Sequence, residues 1–286
     1  MRILDGIEEL RAWRRGLEPG ATVGFVPTMG ALHDGHLSLV ARAREAAEVV
    51  AVSVFVNPTQ FGANEDLDRY PRDREGDAER TGSAGADAIW FAREEEVYPP
   101  GFATTVDLPP IARRLCGLDR PVHFPGVALI VLKLFHLFRP THAFFGEKDY
   151  QQCVLVERMV RDLDLEIEIV RCPLVREESG LARSSRNSNL TPEGREVGVA
   201  LSRGLFRARE AFDRGERDAA RLIAGAAVEI EDPRISLEYL ELVDPVTLAP
   251  LDAVDPERGG RLLVAARLES VRLIDNIALG GEGGGA

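Results

Sequence analysis

The chain has 286 residues, 45% of them hydrophobic, and a formal net charge of −12, enough length for two domains with a sizeable core. That negative balance argues against general nucleic-acid binding, which needs cationic side chains to meet phosphates. No apolar run approaches the length of a membrane span. The opening residues, Met1-Arg2-Ile3-Leu4-Asp5-Gly6, carry charge where a secretory leader has its apolar stretch, so a cytoplasmic location is expected. Cys116, Cys153 and Cys172 are odd in number, widely spaced and set among apolar neighbours, which fits reduced thiols packed as small hydrophobes.

Runs rich in Val, Ile and Phe predict strands near 22–26, 49–56, 87–91, 103–107, 141–145 and 167–171. Helical patterns fall at 7–17, 36–47, 72–84, 125–138 and 149–162. This alternation predicts an α/β fold, a Rossmann-like doubly wound parallel sheet. Acidic and apolar residues alternate over 162–169, as in a strand entering the edge of a sheet. Beyond about residue 175 the character changes to a polar loop over 176–189, helices near 192–213 and 217–230, and strands near 235–243, 261–267 and 271–275. The expected organisation is a first domain over 1–174 and a smaller α+β C-terminal lid domain over 175–286. The glycine-rich end, 280–286, has little to bury and is expected to be disordered.

Four clusters carry chemical content. The first, His33-Asp34-Gly35-His36, follows an apolar strand and opens a helix, the junction where parallel α/β sheets bind phosphates. It has neither the glycine spacing of a dinucleotide fold nor the Gly-Lys-Ser/Thr of a P-loop. Zinc ligation by the two imidazoles with Asp34 is an alternative, although no third ligand follows at a recognised spacing. The second is Phe55-Val56-Asn57-Pro58-Thr59-Gln60-Phe61-Gly62, a strand breaking into a proline turn with two uncharged carboxamides that suit a small polar substrate. The third, Gly146-Glu147-Lys148-Asp149-Tyr150-Gln151-Gln152, joins a glycine turn to a helix start. Only two of the 35 basic residues, Lys133 and Lys148, are lysine, which marks Lys148 as a compact charge for phosphates. The fourth spans 176–187, dense in hydroxyls and basic groups, and reads either as a loop folding over a triphosphate or as a solvated linker. His123 reads as a substrate contact or a packed histidine, and His136 and His142 as structural or surface residues.

Taken in order, these segments resemble the pantothenate synthetases, the pantoate–β-alanine ligases of the nucleotidylyltransferase superfamily. The resemblance covers residues 26–190, through Val26-Pro27-Thr28-Met29-Gly30, His33-Asp34-Gly35-His36, the 55–62 segment, Asp66-Leu67-Asp68-Arg69-Tyr70-Pro71-Arg72-Asp73, Phe145-Gly146-Glu147-Lys148-Asp149 and Ser184-Ser185-Arg186-Asn187. It implies an adenylate intermediate of pantoate, formed from ATP with release of pyrophosphate and then attacked by β-alanine. It assigns ATP to Met29, Gly30, Ala31, Leu32, His33, Asp34, Gly35 and His36, to Gly146, Glu147, Lys148 and Asp149, and to Val175, Arg183, Ser184, Ser185 and Arg186. Catalytic roles fall to His33, His36, Lys148, Ser184, Ser185 and Arg186. At an ordinary pKa of ~6.5, His36 beside a helix N-terminus is expected to act as a neutral hydrogen-bond donor. Gln60 and Gln152 are assigned to pantoate, Gln60 also to β-alanine, and Asn57 to β-alanine or a metal's outer shell. Mg²⁺ is implied through ATP oxygens with no protein metal cage, and the assembly implied is a homodimer acting on small molecules. The chain departs from the family pattern at Pro125, His136, Arg183 and Asn189. Competing readings are an enzyme that stops after AMP transfer, a nucleotide binder without chemistry, and a histidine metalloprotein.

Overall fold

The computed structural model describes residues 1–63 and 65–281. The chain divides into two compact units, Met1–Glu147 with Gln151–Pro173, and Lys148–Tyr150 with Leu174 onward. In chain order the first unit holds β1 (Arg2–Leu4), α1 (Ile7–Arg15), β2 (Val23–Thr28), α2 (Asp34–Ala46), β3 (Val49–Val54), α3 (Arg74–Ser83) and β4 (Ala88–Phe91). Then follow α4 (Glu94–Val97), α5 (Cys116–Asp119), α6 (His123–Phe138), β5 (His142–Gly146), α7 (Tyr150–Asp162, whose first residue clusters with the second unit) and β6 (Glu168–Cys172).

All six strands are parallel in the order β1-β4-β3-β2-β5-β6. The order reverses beside β2, with β3 on one side and β5 on the other. The crevice at the carboxyl ends of strands flanking such a reversal is where open α/β sheets take ligands. β2, β3 and β5 end directly before the first three motif clusters, which explains why those clusters alternate with apolar runs in the sequence.

Period-2 alternation along β2 separates two cores. Phe25 stacks on Phe138 of α6 at 4.3 Å between ring centroids, with Trp13 and Trp90 against the same phenyl ring. Val26 faces the other way, into Leu39, Val40 and Ala43 of α2 and Val50, Val52 and Ile89 of the neighbouring strands. Burying a side chain such as Phe25 or Phe138 is worth roughly 2–3 kcal/mol each. Many of the arginine–carboxylate pairs, Arg11–Glu8 or Arg42–Glu45 for example, are exposed and contribute far less. Apolar contact on the two faces of the sheet therefore decides the fold.

The second unit contains α8 (Pro192–Asp213), α9 (Ala219–Ile230) and an antiparallel sheet of β7 (Ile235–Val243), β8 (Gly260–Leu268) and β9 (Val271–Leu279), in the order β7-β8-β9. Thr191 caps α8 through Gly194 N–H with Pro192 at the first helical position, and Asp218 caps α9 through Arg221 N–H. Leu201, Leu205 and Phe212 of α8 pack with Leu222 of α9 and with Leu262, Val264 and Leu273 of the sheet.

Two expectations change and one strand was not anticipated. Residues 103–107 form no strand: positions 103–105 and 107 are exposed, so the Thr-Thr-Val run has no face to bury. β1 takes the sheet edge, three residues being too few for a pattern to show. Gly280 and Gly281 are placed, with Gly281 N–H donating to the Pro256 carbonyl at 3.0 Å, so the disorder expected from 280 does not begin there; 282–286 lie outside the described residues.

Close approach fixes one position outright. A Cβ on Gly126 in α6 would run into the Thr59 carbonyl and come within 2.6 Å of Gln60 N, so the helix rests backbone to backbone on the 3₁₀ turn Pro58–Gln60. Gly126→Ala is expected to destabilise the protein by about 1–3 kcal/mol through overpacking, read as a lower denaturant midpoint at unchanged m. Wild-type stability in that variant would show that the turn yields freely.

Candidate active site

Between β2 and α2 the backbone makes a tight reversal. Gly30 has φ +90° and Ala31 φ +51°, and a side chain at position 30 would meet Val54 and the Asp77 carboxylate. Asp77, buried in α3, accepts from Ala31 N–H at 2.9 Å and Leu32 N–H at 2.7 Å, one oxygen each. Burial pushes its carboxyl above the ordinary aspartate range, against the lowering effect of those two donors. Thr28 Oγ1 closes the other side, donating to the Ser53 carbonyl at 2.8 Å and accepting from Gly30 N–H at 3.3 Å.

The two imidazoles then cap α2 reciprocally. His33 Nδ1 accepts from Gly35 N–H at 3.2 Å, and His36 Nδ1 accepts from His33 N–H at 3.3 Å. An accepting Nδ1 has no proton, so in the neutral ring the hydrogen sits on Nε2. The rings lie 4.1 Å apart, tilted by 34°. The helix-start amides expected to cradle an anion are in large part engaged within the protein: those of Ala31 and Leu32 by Asp77, those of His33 and Gly35 by the rings.

The 3₁₀ turn after β3 is built as tightly. Asn57 is 1% exposed and every hydrogen-bonding position of its amide is used. Its Oδ1 accepts from Thr59 N–H, Thr59 Oγ1 and the Tyr98 hydroxyl, at 3.4, 2.9 and 2.8 Å. Its Nδ2 donates to the Gly126 carbonyl at 3.2 Å and to Gln60 Oε1 at 3.1 Å. Gln60 Nε2 points at Met29 Sδ, 2.9 Å away, which joins the first two clusters. The Gln60 carbonyl is met by His123 Nδ1 at 3.1 Å and Arg120 Nη2 at 3.5 Å. Arg120 makes a two-pronged contact with Glu65, at 2.9 and 2.5 Å. Burial raises the Glu65 carboxyl, but the hydrogen bonds and charge of Arg120 outweigh it and the net shift is downward.

At the head of α7 the adjacent glutamines separate in role. Gln151 is buried and used: its Oε1 accepts from Cys116 N–H at 3.1 Å, and its Nε2 donates to the Ile111 and Arg114 carbonyls at 2.8 and 2.7 Å. Gln152 is half-buried and has no hydrogen-bond partner among the described residues. Gly146 ends β5, and a Cβ there would meet nothing within 4 Å.

In the second unit Lys148 Nζ lies 3.7 Å from Asp149 Oδ2, and the Lys148 carbonyl accepts from Asn276 Nδ2 at 3.1 Å. Asn276 Oδ1 accepts from Arg261 Nε at 2.7 Å, and the Arg261 guanidinium stacks 4.3 Å from the Tyr150 ring. Beside Asn276, the buried Asp275 takes a two-pronged contact from Arg176, at 2.6 and 2.9 Å. The 176–187 segment is a bonded hairpin and turn instead of a solvated linker. Glu177 N–H donates to the Leu181 carbonyl at 2.8 Å across Gly180, and buried Asn187 donates to Glu177 and the Ala182 carbonyl. Ser184 Oγ then caps the turn Ser185–Asn189 through Arg186 N–H at 3.3 Å, and Arg183 N–H donates to the Val175 carbonyl at 3.0 Å.

Asp77, Tyr98, Arg120 with Glu65, and the Asp275-Asn276 pair were not singled out by sequence reasoning. Their only signal is a polar residue where the pattern asks for an apolar one, visible at 77 and at 275–276. Among the described residues no group of three or more His, Cys, Asp or Glu is placed to hold a metal ion. No helix among them is long and apolar enough to cross a membrane.

Residues 2–278 match the pantoate-beta-alanine ligase family. The chain is 47% identical to pantothenate synthetase of Pelotomaculum thermopropionicum over 283 residues, 98% of this chain and 99% of that protein. Among solved structures, pantothenate synthetase from Thermus thermophilus superposes with a TM-score of 0.93 at 46% identity, covering 98% and 100% of the two chains. Pantoate-beta-alanine ligase from Francisella tularensis, complexed with beta-gamma ATP and beta-alanine, gives 0.81 at 33% identity and covers 97% of each.

The lowered Glu65 pKa sets a pH dependence. A group depressed on folding contributes stability above its unfolded pKa and loses it as pH falls through the folded value. Glu65→Gln is therefore expected to destabilise the protein at neutral pH, and by progressively less below the ordinary glutamate range. Denaturant melts of both proteins from about pH 7 to about pH 3 check this, and a constant difference across that range would contradict it.

Proposed function

Because the chain belongs to the pantoate-beta-alanine ligase family and is an enzyme of that kind, we propose that it uses ATP to join pantoate to β-alanine through a pantoyl-adenylate intermediate. The observation that supports this most directly is the reciprocal cap of His33 and His36. It uses both Nδ1 atoms as acceptors, so that in a neutral ring the proton sits on Nε2, at the carboxyl end of β2 beside the reversal in strand order. Rings held this way donate to phosphate oxygens as charge moves from the α–β bridge onto pyrophosphate, and take no covalent part. A pantoate carboxylate oxygen forms the new bond to the α-phosphorus, and the bond to the bridging oxygen breaks with its electrons leaving on pyrophosphate. The amine of β-alanine then bonds to the acyl carbon, AMP leaves with the electrons of the C–O bond, and the amine proton passes to solvent.

Gln60 and Gln152 are the groups assigned to pantoate, and the lack of a protein partner for Gln152 suits that assignment. Lys148 supplies a point charge to phosphate, and Ser184, Ser185 and Arg186 supply further donors. The groups gathered in these segments are mainly N–H and cationic donors, a set matched to phosphate. Mg²⁺ would accordingly enter on the oxygens of ATP and neutralise phosphate charge there. The family's homodimeric assembly and cytoplasmic location belong to the same reading.

The test is ATP–pyrophosphate exchange. Exchange is expected to require pantoate and Mg²⁺ but not β-alanine, and added β-alanine should divert the intermediate to AMP and pantothenate. Lys148→Ala is expected to lose about a hundredfold or more of the exchange rate while remaining folded. Exchange that appears only with β-alanine, or release of phosphate instead of pyrophosphate, would overturn the adenylate route.

A further inference from the structure

The hydrogen-bond chain around Asn57 has a direction. Thr59 N–H can only donate and the Gly126 carbonyl can only accept, so these two backbone groups identify which end of the Asn57 amide is oxygen and which is nitrogen, while the shortest contact to that oxygen is the Tyr98 hydroxyl. With Oδ1 so placed, the Tyr98 hydroxyl donates to it at 2.8 Å, and the same hydroxyl lies 3.2 Å from Thr59 Oγ1. With Nδ2 so placed, the Gln60 atom 3.1 Å away must be the oxygen. The remaining edge of Gln60 is its NH₂ group, and in the protein alone this faces a thioether sulfur, a weak acceptor that a substrate oxygen would displace.

From this we infer that Tyr98, acting through Asn57, is a positioning residue that holds Gln60 with its N–H edge toward the substrate, so that Gln60 reads a hydrogen-bond acceptor on pantoate. The inference rests on the assignment of Gln60 to pantoate made above. Asn57, with its amide fully engaged inside the protein, acts in the same chain and not as a contact to β-alanine or to a metal's outer shell. Tyr98 is itself held: its ring lies 6.1 Å from Phe55 and 5.2 Å from Phe102, and the ammonium of Lys133 sits 4.4 Å from the Phe102 ring and 5.8 Å from that of Tyr98. Lys133 has no carboxylate within salt-bridge distance among the described residues, and its ammonium rests against this aromatic wall. Burial pushes the Tyr98 phenol upward, which keeps it a donor across the working range. A carboxamide free to turn would present its oxygen for part of the time, and an anionic or lone-pair-bearing substrate would be repelled in that state.

A double-mutant cycle on the intact enzyme tests this. Tyr98→Phe removes one oxygen and leaves the ring wall in place. It is expected to raise the pantoate KM about three- to tenfold, with the ATP KM and thermal midpoint near wild type. In a Gln60→Ala background the same change should move the pantoate KM by less than about twofold, because the amide it orients is gone. Equal effects in both backgrounds, or a parallel rise in the ATP KM, would assign Tyr98 to general structure and overturn the inference. Should Gln60→Ala alone leave the pantoate KM unaltered, Gln60 does not bind pantoate and the premise fails, a distinct outcome from the first. The donor polarity has its own readout: in ¹⁵N-labelled protein the Gln60 side-chain NH₂ pair, identified by its loss in Gln60→Ala, should shift downfield on addition of pantoate. An unmoved pair would refute a donor role.

Discussion

One buried carboxylate holds the turn on which the site depends. Asp77 takes the amides of Ala31 and Leu32 on its two oxygens, and with Thr28 it holds the reversal through two successive left-handed residues at 30 and 31. A positive φ at a non-glycine residue is uncommon and persists only where surroundings over-determine it. Burial works against the charge on Asp77 and the two N–H donors work for it, so the anchor is a balance, not a deep well. Its effect is to deliver His33 to the cap position of α2 and Met29 to the side of Gln60.

The same logic, a fixed partner on one side deciding what is shown on the other, recurs through the site. The histidine rings accept at Nδ1 and so carry hydrogen at Nε2; Asn57 is pinned by two backbone groups and so sets Gln60. Neither device requires charge. A hydrogen-bonding group without charge costs less to keep in an unliganded protein than an ionised one does. The charged groups are fewer, and Lys148 is tied by its backbone to Asn276, which restrains where its side chain begins.

Much of this was legible because the parallel sheet writes itself in β-branched apolar runs, and the motif clusters stand at the ends of β2, β3 and β5. The segments that misled did so for physical reasons. Thr104, Thr105 and Val106 have strand propensity but no buried face, so tertiary context left them irregular. β9 reads as ending near 275 because Asp275 and Asn276 interrupt its apolar pattern, yet the strand continues to Leu279, as Arg176 and Arg261 satisfy those polar groups. The roles of Asp77 and Tyr98 could not be read for a related reason: each is defined by a partner dozens of residues away, and a lone polar residue in a helix or a tyrosine before two prolines names none. Lys133 stood out by rarity alone, and its neighbours, two aromatic rings, could be found only in three dimensions.

Lys148, Glu147 and Gln151 are close in sequence but not in affiliation. The chain leaves the first unit at Lys148, returns at Gln151 and departs again at Leu174, so the second unit is assembled from two separate stretches of the gene. The Tyr150 hydroxyl donates to the Pro245 carbonyl at 2.9 Å, and the contacts of Tyr150 with Arg261 and of Lys148 with Asn276 belong to the same inserted tripeptide. A crossover between two parental genes at residue 174 would therefore not exchange a module. It would pair one parent's tripeptide with the other parent's β8 and β9, putting the Tyr150–Arg261 stack and the Asn276 contact at risk wherever the parents differ at 150, 261 or 276. More than a hundred residues of sequence separate the tripeptide from these partners.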